Sequence, residues 1–189
     1  MNDLVRISCK HNSKKNFDVT SGKLILSDPC YEKGIWCAKE IDNVLPGKWN
    51  AYVKPSVDGR NAELIACHEN FVPDDDDSTS EYYRLAVDSG QMSIVDSPHY
   101  EDDDQFPGEW GEPNIGFDAS RFYGFCCEAT LSRSSVGLIP YGCVASSGYG
   151  DGSYNAYVYR TRSGYVYMVR IVFIGDDDED DEYELEFTY

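Results

Sequence analysis

No lysine occurs beyond Lys54. Residues 1–60 carry ten Lys/Arg against seven Asp/Glu, a balance of +3. Residues 61–189 carry six against 27, a balance of −21, which completes the net −18. A chain so poor in cations over two thirds of its length is unsuited to gripping a phosphate backbone, so nucleic-acid binding is not expected. No apolar run approaches the length of a membrane span. Residues 1–15 are polar and basic, without the apolar stretch of a secretory signal, so a reducing, cytoplasmic setting is expected. Seven cysteines are present, an odd number, and none forms a C-x-x-C or a Cys/His spacing of zinc type. Free thiols are therefore expected, and a structural zinc site is not. No repeat and no Pro/Gly/Ser-rich linker divides the chain, which reads as a single domain over 1–189.

What is present is aromatic and acidic. Fifteen tyrosines suit half-buried sheet positions or a recognition face. The acids concentrate at 74–77, 101–104 and 176–186, which read as solvated segments or as a face that attracts a basic surface. The segment 176–189 ends in alternating Leu185-Glu186-Phe187-Thr188-Tyr189, the pattern of an edge strand or of a tail that orders on binding.

Alternating apolar segments predict strands at 4–9, 23–27, 48–54, 62–67, 82–87, 92–95, 154–160 and 165–174. Asp58-Gly59 and Ser163-Gly164 have hairpin chemistry, and the second would pair 155–160 with 165–173. Ser89-Gly90 predicts a tight hairpin between 82–87 and 92–95. One helix is predicted around 119–131, with Asp118 or Ser120 as N-cap. Phe122, Cys126 and Ala129 would share its buried face, and both Cys126 and Cys127 would be buried.

Residues 144–154, V-A-S-S-G-Y-G-D-G-S-Y, stand out. Gly148, Gly150 and Gly152 permit positive φ and close approach of other atoms, and Asp151 sits alone among backbone and hydroxyl donors. The loop is not a phosphate loop: it lacks the Lys-Ser/Thr of a Walker motif and the G-x-G-x-x-G spacing, and no predicted helix follows it. Val87-Asp88-Ser89-Gly90-Gln91 has the form of an aspartic-protease strand and turn, but the motif occurs once and a plain turn accounts for it. Asp88, Asp96 and Asp151 would converge if hairpins 82–95 and 144–159 were neighbours, and three carboxylates would suit a divalent cation. Cys67 and His68 would face opposite sides of a strand and could not act as a nucleophile–base pair. Cys143 leads into the glycine loop, with His99 or His11 as conceivable bases, but burial explains the thiol as well.

Taken in order, Asp28-Pro29 after a strand, Val87-Asp88-Ser89-Gly90-Gln91, Phe122-Tyr123 with Cys126-Cys127-Glu128-Ala129-Thr130-Leu131, and Ser146-Ser147-Gly148-Tyr149-Gly150-Asp151-Gly152-Ser153-Tyr154 resemble a family of bacterial and phage proteins known only as a domain of unknown function. The resemblance spans residues 20–175. It implies a compact β-rich domain and one shared site for Asp28, Asp88 and Asp151, and it carries no activity.

The expected fold is mainly β: a single-domain twisted antiparallel sheet, sandwich or open barrel with one helix near 119–131. The expected function is that of a small acidic binding protein that docks a basic protein partner, in the manner of an immunity or inhibitor protein or a phage accessory factor. The candidate binding residues are Asp28, Asp88, Ser89, Gln91, Ser147, Tyr149, Asp151 and Tyr154. The alternative is a small-molecule- or metal-dependent enzyme around Asp88 and Asp151, with a divalent cation as its cofactor candidate. An assembly protein is a third class, with no feature in its favour.

Overall fold

The computed structural model describes residues 4–9, 14–72, 80–106 and 120–175. In chain order these form β1 (Val5–Arg6), β2 (Phe17–Val19), β3 (Leu24–Ser27), β4 (Lys39–Ile41), β5 (Gly47–Pro55), β6 (Asn61–His68), β7 (Ser80–Val87) and β8 (Gln91–Asp96). Helix α1 (Arg121–Thr130) follows, then β9 (Val136–Ile139), β10 (Gly142–Ser146), β11 (Gly152–Arg160) and β12 (Val166–Val172). The strands build two antiparallel sheets that do not close into a barrel. The larger runs β1-β5-β6-β12-β11-β7, with β2 also on β5, and the smaller runs β4-β3-β8-β10-β9.

The alternation read from the sequence now has a direction. Leu24, Leu26, Met92, Ile94, Cys143 and Ala145 of the smaller sheet meet Trp49, Ala51, Leu64, Ala66, Val158 and Val169 of the larger in one core. The other face of the smaller sheet is covered by α1. Phe122, Phe125 and Cys126 pack there on Ile25, Val95, Ile139 and Val144, with Ala129 at the margin. Gly137 permits this contact, because a Cβ there would lie 2.8 Å from the Cβ of Ala129. Ser120 caps the helix, its Oγ accepting from Tyr123 N–H at 3.2 Å. The alternative cap, Asp118, lies outside the described residues, as do the acidic segments 74–77 and 176–186. Cys126 is buried as expected, whereas Cys127 is only half-buried, because it turns off the packed face.

All eight residues of β6 are buried, including the polar Asn61, Glu63 and His68, with Glu63 paired to Arg170 at 2.6 Å. Its outer face adds a second cluster, with Ile65 and Cys67 against Tyr159 and Met168. Cys67 and His68 do face opposite sides: His68 turns inward to Trp49, ring centroids 6.1 Å apart.

The hairpins at Asp58-Gly59 and Ser163-Gly164 form as expected, Arg160 pairing with Val166 across the second. The turn at Ser89-Gly90 is not a hairpin. β7 pairs with β11 in the larger sheet, and β8 pairs with β3 and β10 in the smaller. Residues 88–90 are thus a corner at which the chain changes sheets. Residues 147–151 make a parallel corner from β10 to β11. One two-stranded ribbon, β7/β11 continuing as β8/β10, bends through both sheets at these adjoining corners. Strands at Val136–Ile139 and Gly142–Ser146, absent from the sequence reading, complete the smaller sheet.

Candidate functional site

The two corners and the loop after β3 share one end of the sandwich, and Asp28 organises them. Its side chain is fully buried. Oδ1 accepts from Cys30 N–H at 2.9 Å and from Ser89 Oγ at 2.5 Å. Oδ2 accepts from the backbone N–H groups of Asp88 at 2.8 Å and Ser89 at 2.7 Å. An Asp-Pro pair is suited to this: proline fixes the turn, and the carboxylate folds back on the amide two residues on. Four donors satisfy the buried carboxylate, and among the described residues no cation pairs with it.

The loop 28–38 is fastened further along. Tyr100 Oη donates to the carbonyls of Asp28 at 3.0 Å and Tyr31 at 2.7 Å. Lys33 N–H donates to Glu101 at 3.0 Å, and Lys33 Nζ donates to Ser97 Oγ at 2.7 Å and lies 3.4 Å from Glu40. Tyr31 Oη donates to Asp88 Oδ2, and that hydrogen bond raises the phenol's pKa. At the tip of this fixed loop stands Trp36, 89% exposed.

The glycine loop rests against the other corner. Ser147 N–H donates to Gly90 carbonyl at 3.0 Å. Gly148 and Gly150 have φ of +54° and +108°, whereas Gly152 does not enter that region. Tyr154 Oη donates to the carbonyls of Ser147 at 2.9 Å and Gly150 at 2.6 Å, and Ser147 Oγ donates to Gly150 carbonyl at 2.8 Å. Tyr149 stays half-exposed, its ring 5.0 Å from the Arg60 guanidinium.

The sequence-derived candidates therefore divide into two groups. Asp28, Ser89, Ser147 and Tyr154 are engaged in holding the corners. Gln91 is buried and ties β8 to the helix, its Nε2 donating to Cys127 Sγ at 3.6 Å and its Oε1 accepting from Thr130 Oγ1 at 3.1 Å. Asp88, Tyr149 and Asp151 remain exposed at the rim. Asp88 and Asp151 each lie one residue beyond the Val87–Gly152 pair. Their Cα atoms are thus within about 13 Å of each other, from a paired-strand spacing and two chain steps.

Asp96 does not join them. It lies at the other end of β8, fully buried, where Oδ2 accepts from Thr20 N–H and Thr20 Oγ1, both at 2.7 Å, and Oδ1 accepts from Ser21 Oγ. Segments 82–95 and 144–159 are neighbours, as expected, but neither is a hairpin: each runs from one sheet into the other, so Asp96 lies at the far end of β8 from the corner that holds Asp88. Among the described residues no group of three or more His, Cys, Asp or Glu is placed to hold a metal ion. His99 stacks on Tyr141, centroids 3.7 Å apart, and Cys143 is fully buried in the core; His11 lies outside the described residues.

The chemistry open to this end is limited by protonation. Burial, then the hydrogen bond to Asp28, pushes the Cys30 thiol up to about 12. Burial raises Cys37 as well, and burial followed by Cys127 takes the Tyr123 phenol up to about 12. These groups are neutral at pH 7, so they serve as donors and weak acceptors rather than nucleophiles. All seven cysteines are free.

Sequence reasoning passed over Trp36, Tyr31 and Tyr100. The available signal was a tryptophan two residues after Gly34, in a segment opened by Asp28-Pro29. Comparison with protein-family models, with curated proteins and with solved structures gives no match for this chain. Among the described residues no helix is long and apolar enough to cross a membrane.

Proposed function

We propose that the chain is an acidic binding protein that docks a basic protein surface through the end of the sandwich carrying Trp36, Asp88, Tyr149 and Asp151. The observation that carries this reading is the exposure of Trp36 on a loop anchored by a buried carboxylate. Exposing a tryptophan to water is unfavourable, and fixing it in place beforehand lowers the entropy lost on association. Tryptophan and tyrosine dominate the energetics of protein interfaces. The exposed carboxylates of Glu32, Asp88 and Asp151 on the same three loops favour cationic partners and would speed their encounter. A cytoplasmic setting, as for an immunity or inhibitor protein, belongs to this proposal and accords with seven free thiols.

The enzymatic reading around Asp88 and Asp151 draws less support, since both carboxylates stand exposed to water at the rim. The test is fluorescence titration of the full chain with an oligo-arginine peptide, comparing wild type with Trp36→Ala and Asp88→Asn. Expected are saturable binding, a loss of roughly tenfold or more without Trp36, and weakening as salt rises. Binding that ignores both Trp36 and salt would overturn the proposal.

A further inference from the structure

β9 is the outermost strand of the smaller sheet, and among the described residues no strand pairs with its outer side. Ser146 N–H donates to Ser135 carbonyl at 2.8 Å, which sets the phase of the ladder with β10. Gly137 and Ile139 then exchange bonds with β10, and Val136 and Leu138 turn their N–H and C=O outward. Ser134 Oγ reaches Val136 carbonyl at 3.2 Å. The N–H groups of Val136 and Leu138 and the Leu138 carbonyl have no partner among the described residues. Beside them opens a cleft of about 600 Å³ with an apolar floor of Phe125, Ala129, Val136 and Leu138 and a polar margin of serines, Glu128 and Arg133. Arg133 is exposed and has no ion-pair partner among the described residues. The site thus offers two donors, one acceptor and an apolar trough, with the Arg133 cation on the side of the strand's start and one acid, Glu128, on the helix. An extended peptide with apolar residues at alternate positions and acids between them matches it.

The chain carries that sequence itself. Leu185, Phe187 and Tyr189 alternate with Glu184, Glu186 and Thr188. The exit point is close by. Phe173 and Ile174 donate their N–H groups to Ala62 carbonyl at 2.7 and 3.1 Å, and the neighbouring Asn61 Nδ2 donates to Ser135 carbonyl at 3.0 Å. Gly175, the last described residue, therefore follows a segment that abuts the start of β9. The acidic residues 176–182 can extend about 24 Å, more than the roughly 13 Å of a four-residue strand, so 184–189 can reach every position of β9. We propose that the open edge of β9 receives residues 184–189 of the same chain as an added strand, with Leu185, Phe187 and Tyr189 over the trough and the acids drawn by Arg133. This inference does not depend on the partner-docking reading.

The test is amide hydrogen exchange, read by NMR, on the full chain, on Phe187→Pro and on Arg133→Glu. Proline removes an N–H and disfavours a paired strand outside the core, so the sandwich should stay folded. In the wild type Val136 and Leu138 should exchange slowly, and roughly 100-fold faster in Phe187→Pro, while Val144 is unchanged. Arg133→Glu should accelerate the same two amides by a smaller factor. Adding a synthetic peptide of residues 184–189 to Phe187→Pro should restore protection. Equal, fast exchange in wild type and Phe187→Pro would overturn the proposal. So would protection that survives Phe187→Pro and grows with protein concentration, which would assign the edge to a second copy.

Discussion

The carboxylate of Asp28 accepts the backbone N–H groups of Asp88 and Ser89, sixty positions along the chain, at 2.8 and 2.7 Å. One buried side chain thereby closes the corner at which the chain leaves the larger sheet for the smaller. It also holds its own loop through Cys30 N–H. Loss of this carboxylate unpairs several buried donors at once.

Asp28→Ala should therefore destabilise the domain by about 3 kcal/mol, and Ser89→Ala, which removes one donor, by about 1 kcal/mol. Urea unfolding followed by circular dichroism measures both. Equal, small effects would mean that water replaces the side chain at the corner.

The glycine loop separates two kinds of strain. At Gly148 a side chain would meet Ile174 Cγ1 at 3.0 Å and Phe173 Cβ at 3.1 Å, on top of the positive φ. At Gly150 only the φ opposes substitution, with nothing within 4 Å. Gly148→Ala should cost about 2 kcal/mol and Gly150→Ala about 1 kcal/mol, with Gly152→Ala milder than either. Thermal unfolding of the three variants gives the order.

Glu40 supplies an acid-sensitive contribution. The hydroxyl of Ser97, then Lys23 and Lys33, lower its pKa from 4.5 against the opposing effect of burial. A carboxylate with a depressed folded-state value stabilises fully above its unfolded value and loses that contribution as pH falls through the folded one. The stability difference between wild type and Glu40→Gln should therefore be present at pH 6 and shrink below 4.5. Urea midpoints at pH 6, 4 and 3 check this; a difference that grows on acidification would reverse the assignment.

Thiol accessibility should follow burial. Cys30 is exposed, whereas Cys37, Cys67, Cys126 and Cys143 are buried. Native protein treated with iodoacetamide should be modified at Cys30 before any of those four, and slowly, because its thiol is raised to about 12. All seven should react after denaturation. Mass spectrometry of the tryptic peptides reads the order, and early labelling of Cys143 would contradict the packing.

The alternation of apolar residues and the turn pairs Asp58-Gly59 and Ser163-Gly164 were sufficient to locate most long strands. Both signals are local: one states which side chains a pleated segment buries, and the other which dihedrals a tight turn requires. Partner choice is not local. Val87-Asp88-Ser89-Gly90-Gln91 reads as a hairpin because its letters satisfy a turn. Only the core between two sheets decides that β7 and β8 part there. The β9–β10 hairpin escaped notice because the left-handed position of its turn is taken by Tyr141, at φ +60°, rather than by a glycine, and the glycine that follows, Gly142, already belongs to β10. The short β2 and β4 are likewise defined by the strands they pair with.

The site shows the same division. Sequence marked Asp28, Asp88 and the glycine loop as unusual, since Asp-Pro, Asp-Ser-Gly and Gly-x-Gly-x-Gly each demand special backbone geometry. It could not tell which carboxylate would be buried among donors and which left in water. That depends on where the corners meet, and the meeting buries Asp28, exposes Asp88 and Asp151, and sends Asp96 to the far end of its strand. Trp36 belongs wholly to the tertiary structure. A tryptophan in a loop is ordinarily folded inward for its apolar area, and only the fastening of residues 28–38 by Asp28, Tyr100 and Lys33 holds this one outward.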